Sequence, residues 1–387
     1  MLQGSRVRLQ LLVGGVTGTR REAMLADLAE GRIDIVIGTH AILTETVRFK
    51  SLAVAVIDEQ HRFGVHQRAA LREKGAGREQ SDRATKEERA GAEGRVPHVL
   101  VMTATPIPRT MAITIFGDLD VSIIKGLPPG RKKITTMLAN SSDRERMYKG
   151  VERRLSKDEQ AYVVVPTIEG GEIEAGEGLR KELKGVEVVV AELEKRVLPG
   201  RRIVGLHGQL PREERETIME QFRKGEIDVL VATTVIEVGV DVPNATVMVV
   251  ENADRFGLAQ LHQLRGRVGR SEKESVCVLI ADPPADSAGD LARGRLQVMA
   301  ATSDGFKIAE KDFELRGPGE FFGTKQSGIS PLKIADLLKD RALLQMATRD
   351  AAAWIKASPT LSKPEESLLK KRLMKAHGEF LGLVDVG

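Results

Sequence analysis

At 387 residues, 41% of them hydrophobic and 29% charged, the chain has a globular composition and room for two or three domains, because single cores stop growing at roughly 250–300 residues. Its apolar runs fall short of the ~20 residues of a membrane span and its first residues lack the build of a secretory signal, so a cytoplasmic protein without membrane contact is expected. A single cysteine excludes an intrachain disulfide, the seven histidines have no metal-ligand spacing, and a net charge of +4 with thirteen aromatic residues implies that any nucleic acid is held by its backbone.

Val7 to Val13 reads as a strand, Gly14 to Thr19 as a glycine-rich turn and Arg21 onward as a helix. The unit imitates a phosphate loop, but Arg20 stands where lysine belongs and Arg21 where a Mg²⁺-binding hydroxyl belongs. No G-x-x-x-x-G-K-[ST] segment, and no Gly-Lys pair, occurs in the chain. Ile33 to Ile37 is a strand opening into Gly38-Thr39-His40. Backbone N–H groups and the Thr39 hydroxyl there suit nucleic-acid phosphates, although an ordinary strand-to-helix turn with Thr39 as N-cap uses the same residues.

Val54 to Ile57 ends in Asp58-Glu59. An aspartate at the C-terminal end of a strand can hold Mg²⁺ through water, and the following glutamate can position or deprotonate an attacking water. Strands also end in plain surface acids. What favours chemistry is the repeat of the design one unit later, where Val99 to Met102 leads to Thr103 and Thr105, placed to sense the acidic pair and relay the state of a nucleotide. Between the two units, residues 72–95 hold 13 charged residues among 24 and no large apolar side chain, the composition of a disordered loop insertion.

Gly126 to Arg131 breaks helix and strand and reads as an interdomain linker. A second block of short β-branched runs follows: Tyr162 to Val165, Ile203 to Leu206, Val229 to Val231, Val247 to Val250 and Val276 to Ile280. The rhythm is that of parallel strands buried on both faces. His207 follows one strand; Thr233 and Thr234 follow another, placed to face nucleic acid, while Gly239 and Asp241 can approach a ribose and its phosphates. In QLHQLRGRVGR, residues 260–270, Arg267 and Arg270 are expected on one face of a helix, presented as arginine fingers toward a phosphoryl group, with Gln263 beside them among the catalytic candidates. Cys277 lies in an apolar run and reads as core. Beyond Pro283-Pro284 the pattern turns helical, apart from the glycine-rich stretch 316–328, and a third, smaller domain fits.

In order, DEQHRFGV, MTATPIPRT, ATTVIEVGVDVPNATVMVVENADRFGLAQLHQLRGRVGR and DFELRGPGEFFGTKQSG resemble superfamily 2 helicases, and within them the RecG family. A related coupling factor of transcription and repair usually reads DEEQRFGV at the first motif, so Gln60-His61 favours RecG. The resemblance implies an α/β fold with two RecA-like parallel-sheet domains, the first truncated, at residues 1–125 and 133–284 on either side of a linker at 126–132, and a mostly helical translocation module at 285–387. It implies ATP and Mg²⁺ as cofactors and a nucleotide held between the sheet domains. It further implies branched DNA, forks and Holliday junctions, as the partner, a monomer as the acting form, and Arg316 and Gln326 as the residues coupling ATP use to movement. By the family's pattern the chain is expected to begin just after the phosphate-binding loop and to lack the wedge domain that splits forks.

Overall fold

The structure is a computed structural model that describes residues 5–58, 97–103, 121–124, 126, 130–166, 185–233, 241–321 and 340–382. The chain divides into two compact units, residues 1–104 with 352–387 and residues 105–351.

In the first unit, strand β1 (Leu9–Leu12), helix α1 (Gly18–Ala29) and strand β2 (Ile35–Gly38) form a parallel crossover. Met24 and Leu28 of α1 pack with Leu12 and Val47. A second parallel pair joins β3 (Val54–Ile57) to β4 (His98–Val101). Burial on both faces, expected from the apolar runs, does not hold for these strands. Ala55 and Ile57 are buried, whereas the alternate residues Val54 and Val56 are 56% and 59% exposed. The period-two geometry of a strand sends them to the opposite face, and nothing among the described residues covers it.

The second unit carries a six-stranded parallel sheet in the order β5-β10-β9-β6-β8-β7. Its strands are β5 (Thr135–Ala139), β6 (Gln160–Val164), β7 (Ile203–Leu206), β8 (Val229–Ala232), β9 (Ala245–Val250) and β10 (Val276–Ile280). Here the inner strands are buried on both faces: every residue of β6, β8 and β9 is buried. One core holds Tyr162, Val164, Leu230, Met248 and Leu279 against α3 (Arg212–Arg223), α4 (Leu258–Arg265) and α5 (Ser287–Ala301). The other holds their sequence neighbours Ala161, Val163, Val231, Val249 and Val278 against α2 (Arg144–Leu155). Tyr162 meets Phe222 of α3 with ring centroids 4.9 Å apart, a tilted pairing.

Edge strand β5 was not legible in the sequence. Its residues Thr-Thr-Met-Leu-Ala form no apolar run, and they become a strand through their ladder with β10. Helices α6 (Gly305–Phe321), α7 (Arg341–Ala357) and α8 (Ser367–Gly382) follow, in line with the helical C-terminal pattern. None of the described helices is long and apolar enough to cross a membrane.

Candidate functional site

Parallel sheets place ligand chemistry beyond the C-terminal ends of their strands. His207 follows β7 and Thr233 follows β8, and the register Leu206↔Ala232 makes them successive neighbours of one matched pair. His207 Nδ1 and the fully buried Thr233 Oγ1 both lack a hydrogen-bond partner among the described residues. Buried polar groups are rarely left so, and each such atom calls for a partner, whether water, an ion or a ligand. In the first unit the register Ile57↔Val101 brings Asp58 and Thr103 to the same end of a strand pair, with Asp58 exposed. Gly38 ends β2, and a Cβ there would run into the Leu12 carbonyl, so glycine is demanded by strand packing. Thr39 takes the N-cap position of a short 3₁₀ turn, His40–Leu43, without a side-chain cap bond.

The arginine segment departs from its expected helix. Helix α4 stops at Arg265, with Gly266 as its C-cap, so Arg267 and Arg270 lie in the turn beyond it rather than on a helical face. The reason is local: Gly269 has φ +73°, a left-handed conformation that no helix continues, and a side chain there would strike Ile134. Val268, fully buried, pins the turn to the core between the two arginines. Arg131 ties the turn from the other side, its Nε donating to the Gly269 carbonyl at 3.1 Å. Arg270 Nη1 reaches Asp241 Oδ1 at 3.5 Å, while its buried Nε has no partner. Gln263 is half-buried on α4. Burial pushes the nearby Tyr162 hydroxyl up to about 12, and the charges of Arg270 and Arg267 oppose that shift.

Arg265, passed over in the sequence, is 3% exposed. Its Nη1 donates to the carbonyls of Met299 at 2.8 Å and Thr302 at 3.0 Å and to Thr136 Oγ1 at 3.2 Å. The two carbonyls belong to the end of α5, where the last C=O groups lack helical partners and the dipole is negative. The helical spacing of Leu258, Leu261 and Leu264, which sets the core side of α4, was the signal that could have found it. Burial also pushes the Cys277 thiol up to about 12, in keeping with a core role.

Arg265 Nη2 lies 3.1 Å from His262 Nδ1. Burial first, then the Arg265 charge, pulls His262 down from 6.5 to about 4, against the opposing pull of Asp304. A histidine lowered by folding binds its proton better when unfolded, so its contribution is intact above the unfolded pKa and is lost as pH falls toward the folded one. The loss between pH 7.5 and pH 5 is expected to be about 2 kcal/mol. Urea unfolding at both pH values checks this: His262→Asn should flatten the difference, and an unchanged difference would assign it elsewhere.

Glu59, Thr105, Thr234, Gly239, Gln326 and the charged stretch 72–95 lie outside the described residues, and Arg316 is placed on α6 by its backbone alone. Among the described residues no three His, Cys, Asp or Glu side chains cluster as metal ligands.

Comparison with known proteins matches three families along the chain: DEAD/DEAH box helicase at residues 2–113, helicase conserved C-terminal domain at 144–272, and ATP-dependent DNA helicase RecG, domain 3, C-terminal, at 302–380. The ATP-dependent DNA helicase RecG of Aquifex aeolicus is 45% identical over 99% of this chain, and that of Bacillus subtilis 43% over 96%. A solved RecG bound to a three-way DNA junction is 40% identical over 89% of the chain and 40% of its own, with a TM-score of 0.60. The chain belongs to the RecG family. It spans 45% and 50% of the two RecG relatives' lengths, about half of each. The DUF1998 helicase MrfA, solved with DNA and AMPPNP, shares the fold at 18% identity and a TM-score of 0.52. The RecG-family match also accounts for the order of the segments, since the three matched families follow one another without overlap.

Proposed function

We propose that the chain is the motor portion of an ATP-dependent double-strand DNA translocase and helicase that remodels forks and Holliday junctions in recombination and repair. The observation that carries this reading is 45% identity to a RecG helicase over 99% of the chain. Asp58 is assigned to Mg²⁺ through water and Glu59 to the attacking water. Gln263, Arg267 and Arg270 are assigned to the phosphoryl group, and Gly239 and Asp241 to the rest of the nucleotide. Gly38, Thr39, His207, Thr233 and Thr234 are assigned to DNA phosphates, and Thr103, Thr105, Arg316 and Gln326 to coupling.

The residues present fit ATP and Mg²⁺ in part. The unpartnered Arg270 Nε and the exposed Asp58 at a strand end suit a polyphosphate and its hydrated cation, while a P-loop lysine is missing from the chain. When bound, the nucleotide and its Mg²⁺ supply the hydrolysable phosphoanhydride and charge neutralisation. Arg267 and Arg270 orient and neutralise phosphate oxygens, and Glu59 holds the proton taken from water. His207 and Thr233 donate to DNA phosphate oxygens without reading the sequence.

DNA binding tests the reading on the chain itself. Affinity for a three-way junction is expected to fall by at least about tenfold between 50 and 200 mM salt, whatever the base sequence, because Lys and Arg release counterions from phosphates. Fluorescence anisotropy that returns a salt-independent affinity, or none, would sink the backbone-binding mode. The missing lysine also favours a second reading, a DNA-binding remnant that hydrolyses nothing, which shares this binding result and parts from the first on turnover in a polypeptide that joins these residues to a phosphate-binding loop.

A further inference from the structure

We infer that Arg131 is a positioning residue for Arg270, because its guanidinium holds the peptide unit from which that finger arginine departs. The aim of Arg270 is thereby tied to the segment expected to link the two sheet domains. The inference rests on the finger role proposed above.

Residues 131–135 are fastened to residues 269–275 at both ends. Thr135 N donates to the Ser275 carbonyl at 3.0 Å, where the pairing Val276↔Thr135 opens the β5–β10 ladder. Four residues earlier the half-buried Arg131 donates from Nε to the Gly269 carbonyl at 3.1 Å. Between them Ile134 packs against Gly269, so closely that a Cβ there would stand 2.8 Å from Ile134 Cγ1.

What the bond does follows from its acceptor. A peptide unit is planar, so the Gly269 carbonyl and the Arg270 N–H move together. Gly269 has φ +73° and no Cβ to hinder rotation of that plane. Val268 and Ile134 anchor the turn through their side chains, which fixes its place and leaves the plane unrestrained. The donor on Arg131 supplies the restraint. An arginine bonded to a loop carbonyl is ordinarily a staple for stability, but burial of Val268 already provides that here. Arg270 has no such surplus: its Nε is without a partner and its contact with the exposed Asp241 is a long 3.5 Å. Its backbone therefore sets its direction, and an error of about 1 Å at a reacting group costs about a hundredfold in rate.

The first test uses the 387-residue chain and reads the order parameter of the Arg270 backbone amide by nuclear magnetic relaxation. A rigid value of about 0.85 is expected to fall below about 0.6 in Arg131→Ala, with Val278 of β10 and the melting temperature unchanged. Arg131→Gln should restore it, since the glutamine amide nitrogen occupies the place of Nε along the side chain while carrying no charge. The second test uses a polypeptide that joins these residues to a phosphate-binding loop. There Arg131→Ala is expected to lower kcat by about tenfold to a hundredfold with KM for ATP within about threefold, and Arg131→Gln to recover most of the loss. Arg131→Ala with Arg270→Ala should be no slower than Arg270→Ala alone, because one residue acts through the other. An order parameter unmoved by Arg131→Ala, a glutamine variant no better than alanine, or losses that multiply in the double variant would each overturn the proposal. If Arg270→Ala itself leaves turnover unmoved, the finger reading fails and this role with it; turnover slowed by Arg270→Ala but not by Arg131→Ala removes the role of Arg131 alone.

Discussion

In a polypeptide that carries these residues and turns over ATP, Arg270→Ala and Arg267→Ala are each expected to slow DNA-stimulated hydrolysis by about 10³- to 10⁵-fold. The expectation rests on how the turn is built. Val268 is sealed in the core, Gly269 takes a left-handed backbone, and Arg131 clamps the Gly269 carbonyl, so both guanidiniums leave a fixed support. Fixed donors lose little to reorganisation when charge develops on phosphate oxygens, which is where their catalytic effect arises. Arg270 holds an unpartnered Nε and a long 3.5 Å pairing to Asp241, a side chain still 59% exposed, so its donors remain available. Lysine should not rescue either position, because a point charge cannot reproduce the planar fork. Phosphate-release kinetics at saturating DNA provide the measurement. The fall should lie in kcat with DNA affinity held within a few-fold, and a loss below about tenfold at both positions would remove the finger role.

The inner strands of the second sheet were legible because they are buried on both faces and so read as apolar, β-branched runs. Ile203–Leu206 and Val276–Ile280 coincide with the expected segments. β5 escaped because an edge strand takes much of its definition from its neighbour, and Thr135 to Ala139 carries no apolar signature of its own. The arginine segment was legible in its chemistry and misplaced in its geometry: the spacing Arg267 to Arg270 suits one helical face, but the glycine that permits close approach also takes positive φ and ends the helix. Arg265 was missed since a charged residue reads as a surface group until its hydrogen-bond acceptors are known. Those acceptors are main-chain carbonyls some 34 and 37 positions away, which no local pattern announces.

By itself the 387-residue chain is expected to hydrolyse ATP at the background rate, with or without DNA. Fingers act only on phosphates that are already held, and in P-loop enzymes the holding is done by a backbone cradle, its lysine, and a hydroxyl on Mg²⁺. The nearest arrangement here runs from β1 through a glycine turn into α1, where Gly18 takes φ +62° at the start of the helix. The cradle geometry is therefore partly imitated, but Arg20 and Arg21 occupy the positions of lysine and hydroxyl, and Arg21 Nη2 is turned toward Thr44 Oγ1 at 3.5 Å. An arginine can neutralise a phosphate yet cannot ligate Mg²⁺, so the β- and γ-phosphates would lack the metal bridge that aligns them for in-line attack. Phosphate release measured with a three-way junction decides the matter: robust turnover abolished by Glu59→Gln would overturn the expectation and locate a complete catalytic site within these residues. Background turnover alongside salt-sensitive DNA binding would meet the expectation, with DNA bound by the chain's own residues and no nucleotide held by them for hydrolysis.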